Sequence, residues 1–564
     1  MRYDLLSQPM PVFPVGNCEW SSGRCAWHHA SHGRSSEYKN SDRETRPYAL
    51  KNILMSLDDS AVRTANDRYF GTDHLKTSLG GRAARGGAVT VISQGLKFLI
   101  SMVATVVLAR LLTPQDYGLV GMVAVVIGFV AMFKDLGLST ATIQRPEINN
   151  AQISTLFWIN LALSLAVMVV TAAIAPVIAR FYHEPRLVSI TLAYGCGFLL
   201  GGLTVQHEAL LRRQMRFTAL AGAEVFSIIA SVVTAILMAW YGAGYWSLVG
   251  GALSLNLAYL IGIWILCGWR PGLPARNSGV KSMLVFGGNF TAFSIVNYFA
   301  RNLDNLLIGW WWGAAALGLY GKAYQLLLLP LDQINSPISA VAVPALSRLV
   351  DSPDRYRQAY LRILEKIAIM TMPLMAFMIV TSDWLVLLLL GPKWTGVSRI
   401  FALLAIAGFI QPVCNTTGWL FLTQGRPHHM FQWGIIGASI IIVSIAVGLP
   451  WGAVGVATCY SLGFVCVASP LLFWFVGRSG PVRASNLYIT IAPVVLASFC
   501  ALLAAVVLRR YSGISNPLAG IVSCLFLTVL TTGVVLVAMS PGRRVLLDLR
   551  NSFFLLIRRK ESLV

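Results

Sequence analysis

An all-α integral membrane bundle is the fold class this sequence predicts: about 14 transmembrane helices in two six-helix lobes of pseudo-twofold arrangement, plus two C-terminal helices. Three observations predict it. Apolar stretches of ~20 residues, the length that crosses ~30 Å of hydrocarbon, follow one another from Gly86 to Met539 with little between them. A composition of 56% hydrophobic against 12% charged residues, with a mean hydropathy of +0.67, would leave a water-soluble chain of 564 residues covered in apolar surface. Consecutive six-span blocks also echo each other in short motifs.

In order, the first six spans read Gly86–Leu111, Tyr117–Gly137, Ile153–Ile178, Leu187–Val205, Leu220–Tyr241 and Trp246–Cys267, and they form an N-lobe over residues 86–267. The next six read Met283–Ile308, Leu317–Val343, Ile363–Leu390, Ser398–Thr423, Met430–Leu449 and Ala453–Val476, a C-lobe over residues 283–476. Leu487–Val507 and Leu518–Met539 complete the set over 487–539, before a basic tail at 540–564. Pro330, Pro337 and Pro373 fall inside spans, which membrane bundles tolerate and use for bending.

The net charge of +21 points first to cytoplasmic loops and tails rather than to nucleic acid. Alternate connections split their Lys and Arg roughly twenty to six, so the positive-inside rule places both termini in the cytoplasm, as an even number of spans requires. Residues 1–85 are polar, with no apolar run to serve as a signal peptide, and are expected to be disordered. Met55 is a candidate for the true start. Cys18 and Cys25 with His28, His29 and His32 have a spacing that fits no common zinc module, and no metal or other cofactor is expected. Most other cysteines lie in apolar spans, as small hydrophobes do.

The echo between blocks is specific in position. Gly118, Leu119 and Gly121, after the first span, match Gly318, Leu319 and Gly321 after the seventh, and the turn Tyr241–Trp246 is matched by Trp451–Val456. Duplication of this kind is a common plan for alternating-access carriers.

Five stretches carry a family likeness: Leu108-Ala-Arg-Leu-Leu-Thr-Pro-Gln-Asp-Tyr-Gly118, Ala300-Arg-Asn-Leu-Asp-Asn-Leu-Leu-Ile-Gly309, Leu317-Gly-Leu-Tyr-Gly-Lys-Ala-Tyr324, Pro344-Ala-Leu-Ser-Arg348 and Gly391-Pro-Lys-Trp394. Together they resemble Wzx-type polysaccharide-biosynthesis flippases, colanic-acid-exporter-like members of the multidrug/oligosaccharidyl-lipid/polysaccharide transporter superfamily. The resemblance runs from about Gly86 to about Gly480 and departs in the long N-terminal tail. It implies a multi-pass inner-membrane carrier that moves undecaprenyl-diphosphate-linked oligosaccharide to the outer leaflet, surrounded by membrane lipids and working beside a polymerase and other polysaccharide-synthesis proteins.

The residues contain equipment for such a cargo. Ionisable groups at membrane depth cost ~2.5–3.5 kcal/mol each on insertion scales, so they should face a cavity or each other. Asn297, Arg301, Asp304 and Asn305 recur at steps of three and four in the seventh span, and Lys322, Gln325, Asp332 and Gln333 continue in the eighth. Gln94 and Lys97 lie in the first span. Arg301, Lys97, Lys322, Asn297 and Gln325 are the substrate-binding candidates, with Arg301 first because a guanidinium presents a planar fork of donors to phosphate oxygens. Two readings stand for Arg301, gripping diphosphate or neutralising Asp304 one turn away, and two for Lys322, lining the cavity or snorkelling. Trp310, Trp311 and Trp312 read as an interfacial aromatic belt.

No phosphate-cradling Gly-rich loop is present, so transport would draw on an ion gradient, the membrane potential or removal of product. Asp332, Asp383 and Asp304 are the candidates for a coupling ion, Asp383 being also readable as a solvated or locally paired carboxylate. No catalytic cluster of acids and histidines is visible, which argues against an enzyme. A membrane-embedded polymerase or ligase, and a multidrug or cation antiporter of the same superfamily, are the alternatives; the first should have a large loop, the second a carboxylate in the first lobe, where the first span offers only Lys97.

Overall fold

In lipid, a spanning segment must bond every backbone N–H and C=O within itself, and the described residues are accordingly helical, with no strand among them. A computed structural model of the chain describes residues 69–70, 79–133, 138–145, 148–275, 281–514, 516–539 and 542–543. The cysteine and histidine cluster of the N-terminal tail, Met55 and the tail beyond Arg543 lie outside the described residues. All the helices described belong to one compact unit, Thr64–Val564.

The first lobe comprises α1 (Leu79–Leu111), α2 (Pro114–Ala131), the short α3 (Leu138–Gln144), α4 (Asn150–Phe181), α5 (Leu187–Gly202), α6 (Val205–Arg213), α7 (Phe217–Trp240) and α8 (Trp246–Cys267). The second comprises α9 (Lys281–Ser347), α10 (Pro353–Val380), α11 (Ser382–Leu389), α12 (Thr395–Thr423), α13 (Pro427–Gly448), α14 (Gly452–Leu462) and α15 (Ser469–Gly477), the last two joined by a π-helical turn. Finally come α16 (Ala484–Tyr511) and α17 (Pro517–Ala538). Among the described residues, 11 helical stretches are long and apolar enough to cross a membrane singly, and the bent pair α5 and α6 makes a twelfth. The 46-residue stretch belongs to a 67-residue helix, Lys281–Ser347, whose two arms are two crossings, and the 51-residue stretch Pro427–Gly477 holds two more. The total is the 14 that the sequence predicts.

The 46-residue stretch shows why. Gly313 sits at φ 78°, ψ −176°, left-handed backbone that glycine adopts without a Cβ penalty, and it breaks α9. Tyr320 Oη donates to Asp304 Oδ2 at 3.0 Å although sixteen residues separate them, a distance of ~24 Å along a straight helix. The two arms of α9 therefore fold back on each other at Gly313. The equivalent turn of the first lobe, between α1 and α2, uses different chemistry. Thr113 caps α2 by accepting from the Asp116 N–H at 3.3 Å while the Asp116 carboxylate accepts from Thr113 N–H at 2.9 Å, with Pro114 in the first turn.

These two turns meet. A Cβ on Gly118 would fall well inside contact distance of the Ala314 carbonyl, and one on Gly318 would collide with the Pro114 carbonyl. Gly118 and Gly318 thus each receive the start of the other lobe's helix, a reciprocal crossing that expresses the pseudo-twofold in backbone contacts. Between lipid-immersed helices packing and close approach replace the hydrophobic drive, so small residues belong at such a seam.

One core cluster joins both lobes through Leu119, Met122, Val123, Leu317, Tyr320 and Trp394. A second, with Tyr356, Tyr360, Leu487 and Val494, fastens α16 to α10. The structure departs from the expected boundaries in several places, α10 for one beginning at Pro353, ten residues before Ile363. Helix α1 begins at Leu79, seven residues before Gly86, and Phe70 is buried in the first lobe. The fourth span bends by 40° after Gly202 and continues as the polar α6. Arg213 at the end of α6 is buried, and its guanidinium donates to the carbonyls of Phe70 at 3.3 Å and Thr142 at 3.2 Å, and to that of Arg145. Arg213, which hydropathy alone leaves in a connection, is the clamp on the end of α3.

Candidate substrate cavity

The second arm of α9 positions the site. Lys322, Gln325, Asp332, Ser336 and Ser339 recur at steps of three, seven, four and three residues, which keeps them on one helix face for more than four turns. That face lines three adjoining compartments. The first, of about 250 Å³, lies between Tyr117 of α2, Asn302 and Asn305 of the first arm of α9, and Lys322 and Gln325. The second, about 400 Å³, shares Asn305 and Gln325 and extends to Tyr324, Asp332 and Gln333. The third, about 230 Å³, shares Asp332 and reaches Asn335, Ser339, Asn415 and Trp419. The result is a polar track along α9, from the glycine crossing toward the Arg348 end of the helix.

Lys322 stands at the crossing end. It is 5% exposed; its Nζ lies 3.8 Å from the centre of the Tyr117 ring and 3.0 Å from Gln325 Oε1, and it has no ion-pair partner among the described residues. Snorkelling is not its role here: the ammonium lies over an aromatic face of the opposite lobe. An ammonium held by a ring and an amide, without a counter-charge, is a ready point contact for an anion.

The other candidates are placed differently. Lys97 is bound by Glu224 of α7 at 2.6 Å and lines none of the compartments. Glu224 is a first-lobe acid within a spanning helix that the reading of the first span alone missed, and it is occupied by that lysine. Asp304 and Asn305 do not share a face. At ~100° per residue, adjacent positions diverge; Asn305 joins Asn302 on the cavity wall, whereas Asp304 turns inward to Tyr320 Oη at 3.0 Å and the Asn305 N–H at 2.8 Å. Asp383 forms an ion pair with Arg509 of α16 at a part-exposed edge, where Arg509 also lies over the Trp384 ring at 4.7 Å. The side chains of Asn297 and Arg301 lie outside the described residues.

Residues that sequence reasoning passed over include Tyr117, Asn302, Asn335, Ser339, Asn415 and Trp419. For two of them a signal existed: Gln411, Asn415 and Trp419 stand at steps of four along α12.

The crossing end is sealed by more than glycines. The Trp394 indole is fully buried, donates to the Ala109 carbonyl at 2.7 Å and meets the Tyr117 ring edge-on at 5.4 Å. Arg110 donates to the Leu388 carbonyl at 2.9 Å, and Lys393 to the Arg110 carbonyl at 3.3 Å. Trp310, Trp311 and Trp312 are 42%, 57% and 44% exposed, as a belt requires. Two of them also have fixed partners: Trp310 stacks on Phe181 at 5.8 Å, and Trp312 donates to the Leu449 carbonyl at 2.7 Å. In the exposed turn after Phe181, Arg186 donates to both Glu184 oxygens, at 2.7 and 2.9 Å, and that bond holds the Glu184 carboxyl below its usual range.

Comparison with known proteins agrees with this architecture. The chain is 27% identical over 413 residues to the lipopolysaccharide biosynthesis protein WzxC of Escherichia coli, covering 71% of this chain and 80% of that one. It is 23% identical over 433 residues to the succinoglycan biosynthesis transport protein ExoT of Rhizobium meliloti, covering 75% and 86%. Among solved structures, the lipid II flippase MurJ in an inward closed conformation superposes with a TM-score of 0.64 at 13% identity, over 79% of this chain and 97% of that one, a likeness of fold. A family model described as polysaccharide biosynthesis protein matches residues 107–399, more than half of the chain, and to that family this membrane protein belongs.

Proposed function

We propose that the protein is a flippase, not an enzyme, which carries undecaprenyl-diphosphate-linked oligosaccharide units across the bacterial inner membrane for exopolysaccharide or lipopolysaccharide synthesis. The observation that carries this reading is the polar track, with Lys322, which has no ion-pair partner among the described residues, at its sealed end and amides, hydroxyls and one carboxylate beyond it. A diphosphate is recognised by fixed cationic donors, and a glycan by amide and hydroxyl partners. Membership of a polysaccharide-biosynthesis family, and a relative named as a transport protein, support the same cargo class.

In this reading both termini are cytoplasmic and the glycine crossing faces the periplasm, so the conformation described is loaded from the cytoplasm. Arg301 and Lys322 hold the diphosphate, with Asn297 and Gln325 beside them. Rocking of the lobes breaks the crossing and opens the track outward. Asp304, enclosed by Tyr320 at the fold-back of α9, is the carboxylate we assign to the coupling ion, since a change in its charge would act directly on the arm that bears Lys322. A polymerase waiting on the outer side would consume the product.

In cells lacking the resident copy, Arg301→Ala and Lys322→Ala are each expected to abolish surface glycan and to build up lipid-linked units on the cytoplasmic leaflet, with normal amounts of folded protein in the membrane. Wild-type export by both variants would overturn the assignment.

A further inference from the structure

The compartment farthest from Lys322 has features that diphosphate binding does not explain. It is walled by Asp332, Asn335 and Ser339 on α9 and by Asn415, Thr416 and Trp419 on α12, in about 230 Å³. Thr416 is committed, its hydroxyl bonded with Tyr360 Oη at 2.9 Å and donating to the Val413 carbonyl at 2.7 Å. Asp332, Ser339 and Asn415, by contrast, have no hydrogen-bond partner among the described residues. Asn335 Oδ1 is buried with none either, although an unsatisfied buried acceptor costs roughly 1–3 kcal/mol. That oxygen needs a donor brought in from outside.

A carboxylate, two amides and a hydroxyl beside an indole make a particular chemistry. One acid alone does not hold a metal, and among the described residues no group of three metal-ligating side chains exists. An apolar ligand would leave the amides unpaired. A pyranose suits all of them: its hydroxyls donate to Asp332 and Asn335, accept from Asn415 and Ser339, and its C–H face lies on an indole. Trp419 also packs against the cluster of Tyr356 and Leu472, which helps to fix the ring before the ligand arrives.

We infer that this compartment is a sugar subsite, which takes one pyranose unit of the cargo by its hydroxyls and on the face of Trp419. The inference rests on the flippase reading and adds to it a division of labour: the cation end holds the diphosphate, and the α9–α12 compartment selects for glycan.

The test uses the full chain in lipid nanodiscs and two probes, bare undecaprenyl diphosphate and the lipid-linked oligosaccharide extracted from the producing cells, with binding followed by native mass spectrometry. The wild-type protein should bind the glycosylated lipid at least about tenfold more tightly than the bare one, as one good charged hydrogen bond or more would give. Trp419→Ala, and the milder Asn415→Ala and Asp332→Asn in case the tryptophan variant misfolds, should remove that difference while affinity for the bare lipid changes less than about twofold. A glycan preference that survives in Asn415→Ala and Asp332→Asn overturns the subsite, as does a wild-type protein without any preference. Failure of the wild type to bind either probe would instead overturn the flippase reading beneath it.

Discussion

Lys322 and Lys97 show how differently two lysines in apolar helices can be kept. Lys322 is stabilised by a ring and an amide and keeps its charge available; Lys97 spends its charge on Glu224. The partners differ, and the expected mutant behaviour differs accordingly. Removing Glu224 alone, as Glu224→Leu, leaves an unpaired ammonium at membrane depth, a loss on the order of 2–3 kcal/mol on insertion scales, whereas the double change Lys97→Leu with Glu224→Leu is expected to restore most of it. Thermal melting of the detergent-purified protein checks this. A double variant no more stable than the single one would mean that the pair does more than neutralise itself. The sequence made Lys97 visible but not its partner, because the two are 127 residues apart and only the packing of α1 on α7 joins them. Asp304 and Asn305 were legible as polar positions in an apolar helix. Their opposite fates were not, since a stripe drawn at steps of three and four is wide enough to include neighbours that ~100° of helical rotation separates.

At the scale of elements, the duplicated glycines carry the most information that the chain offers about its own motion. The match of Gly118 with Gly318 was readable as a motif; that each receives the other lobe's backbone required coordinates. Bulk at either position should prevent the crossing from closing. Gly118→Leu and Gly318→Leu are expected to disfavour the described conformation by roughly 1–3 kcal/mol or more, the usual cost of overpacking, and to raise labelling of a cysteine placed at Gln325 by an impermeant reagent from the periplasmic side. Unchanged labelling would argue that the crossing does not gate the track. Trp394→Ala is expected to act in the same direction, since it removes a fully buried indole and its bond to Ala109 from the same seam. The bend after Gly202 and the reach of α6 escaped the sequence reading because Glu208, Arg212 and Arg213 give α6 the composition of a connection, and only the burial of Arg213 among carbonyls reveals that the polar helix is packed.

Taken whole, the molecule is two related helical lobes joined at one end, with a polar track along the second arm of α9 and a final helix pair fastened to α10. Number and order of spans were legible because lipid demands one thing of each segment, ~20 apolar residues with internal hydrogen bonds. The site was most legible on α9, where polar residues repeat within a single helix, and a shorter repeat stood on α12 at Gln411, Asn415 and Trp419; that these helices meet each other and Tyr117 of α2 is something on which a hydropathy profile is silent. The most direct test of the account is movement of the cargo itself. In proteoliposomes loaded with lipid-linked oligosaccharide, the wild-type protein should steadily bring inner-leaflet glycan within reach of external periodate, and Lys322→Ala should not. Glycan that stays protected with the wild type, or becomes accessible equally fast with Lys322→Ala, would contradict it.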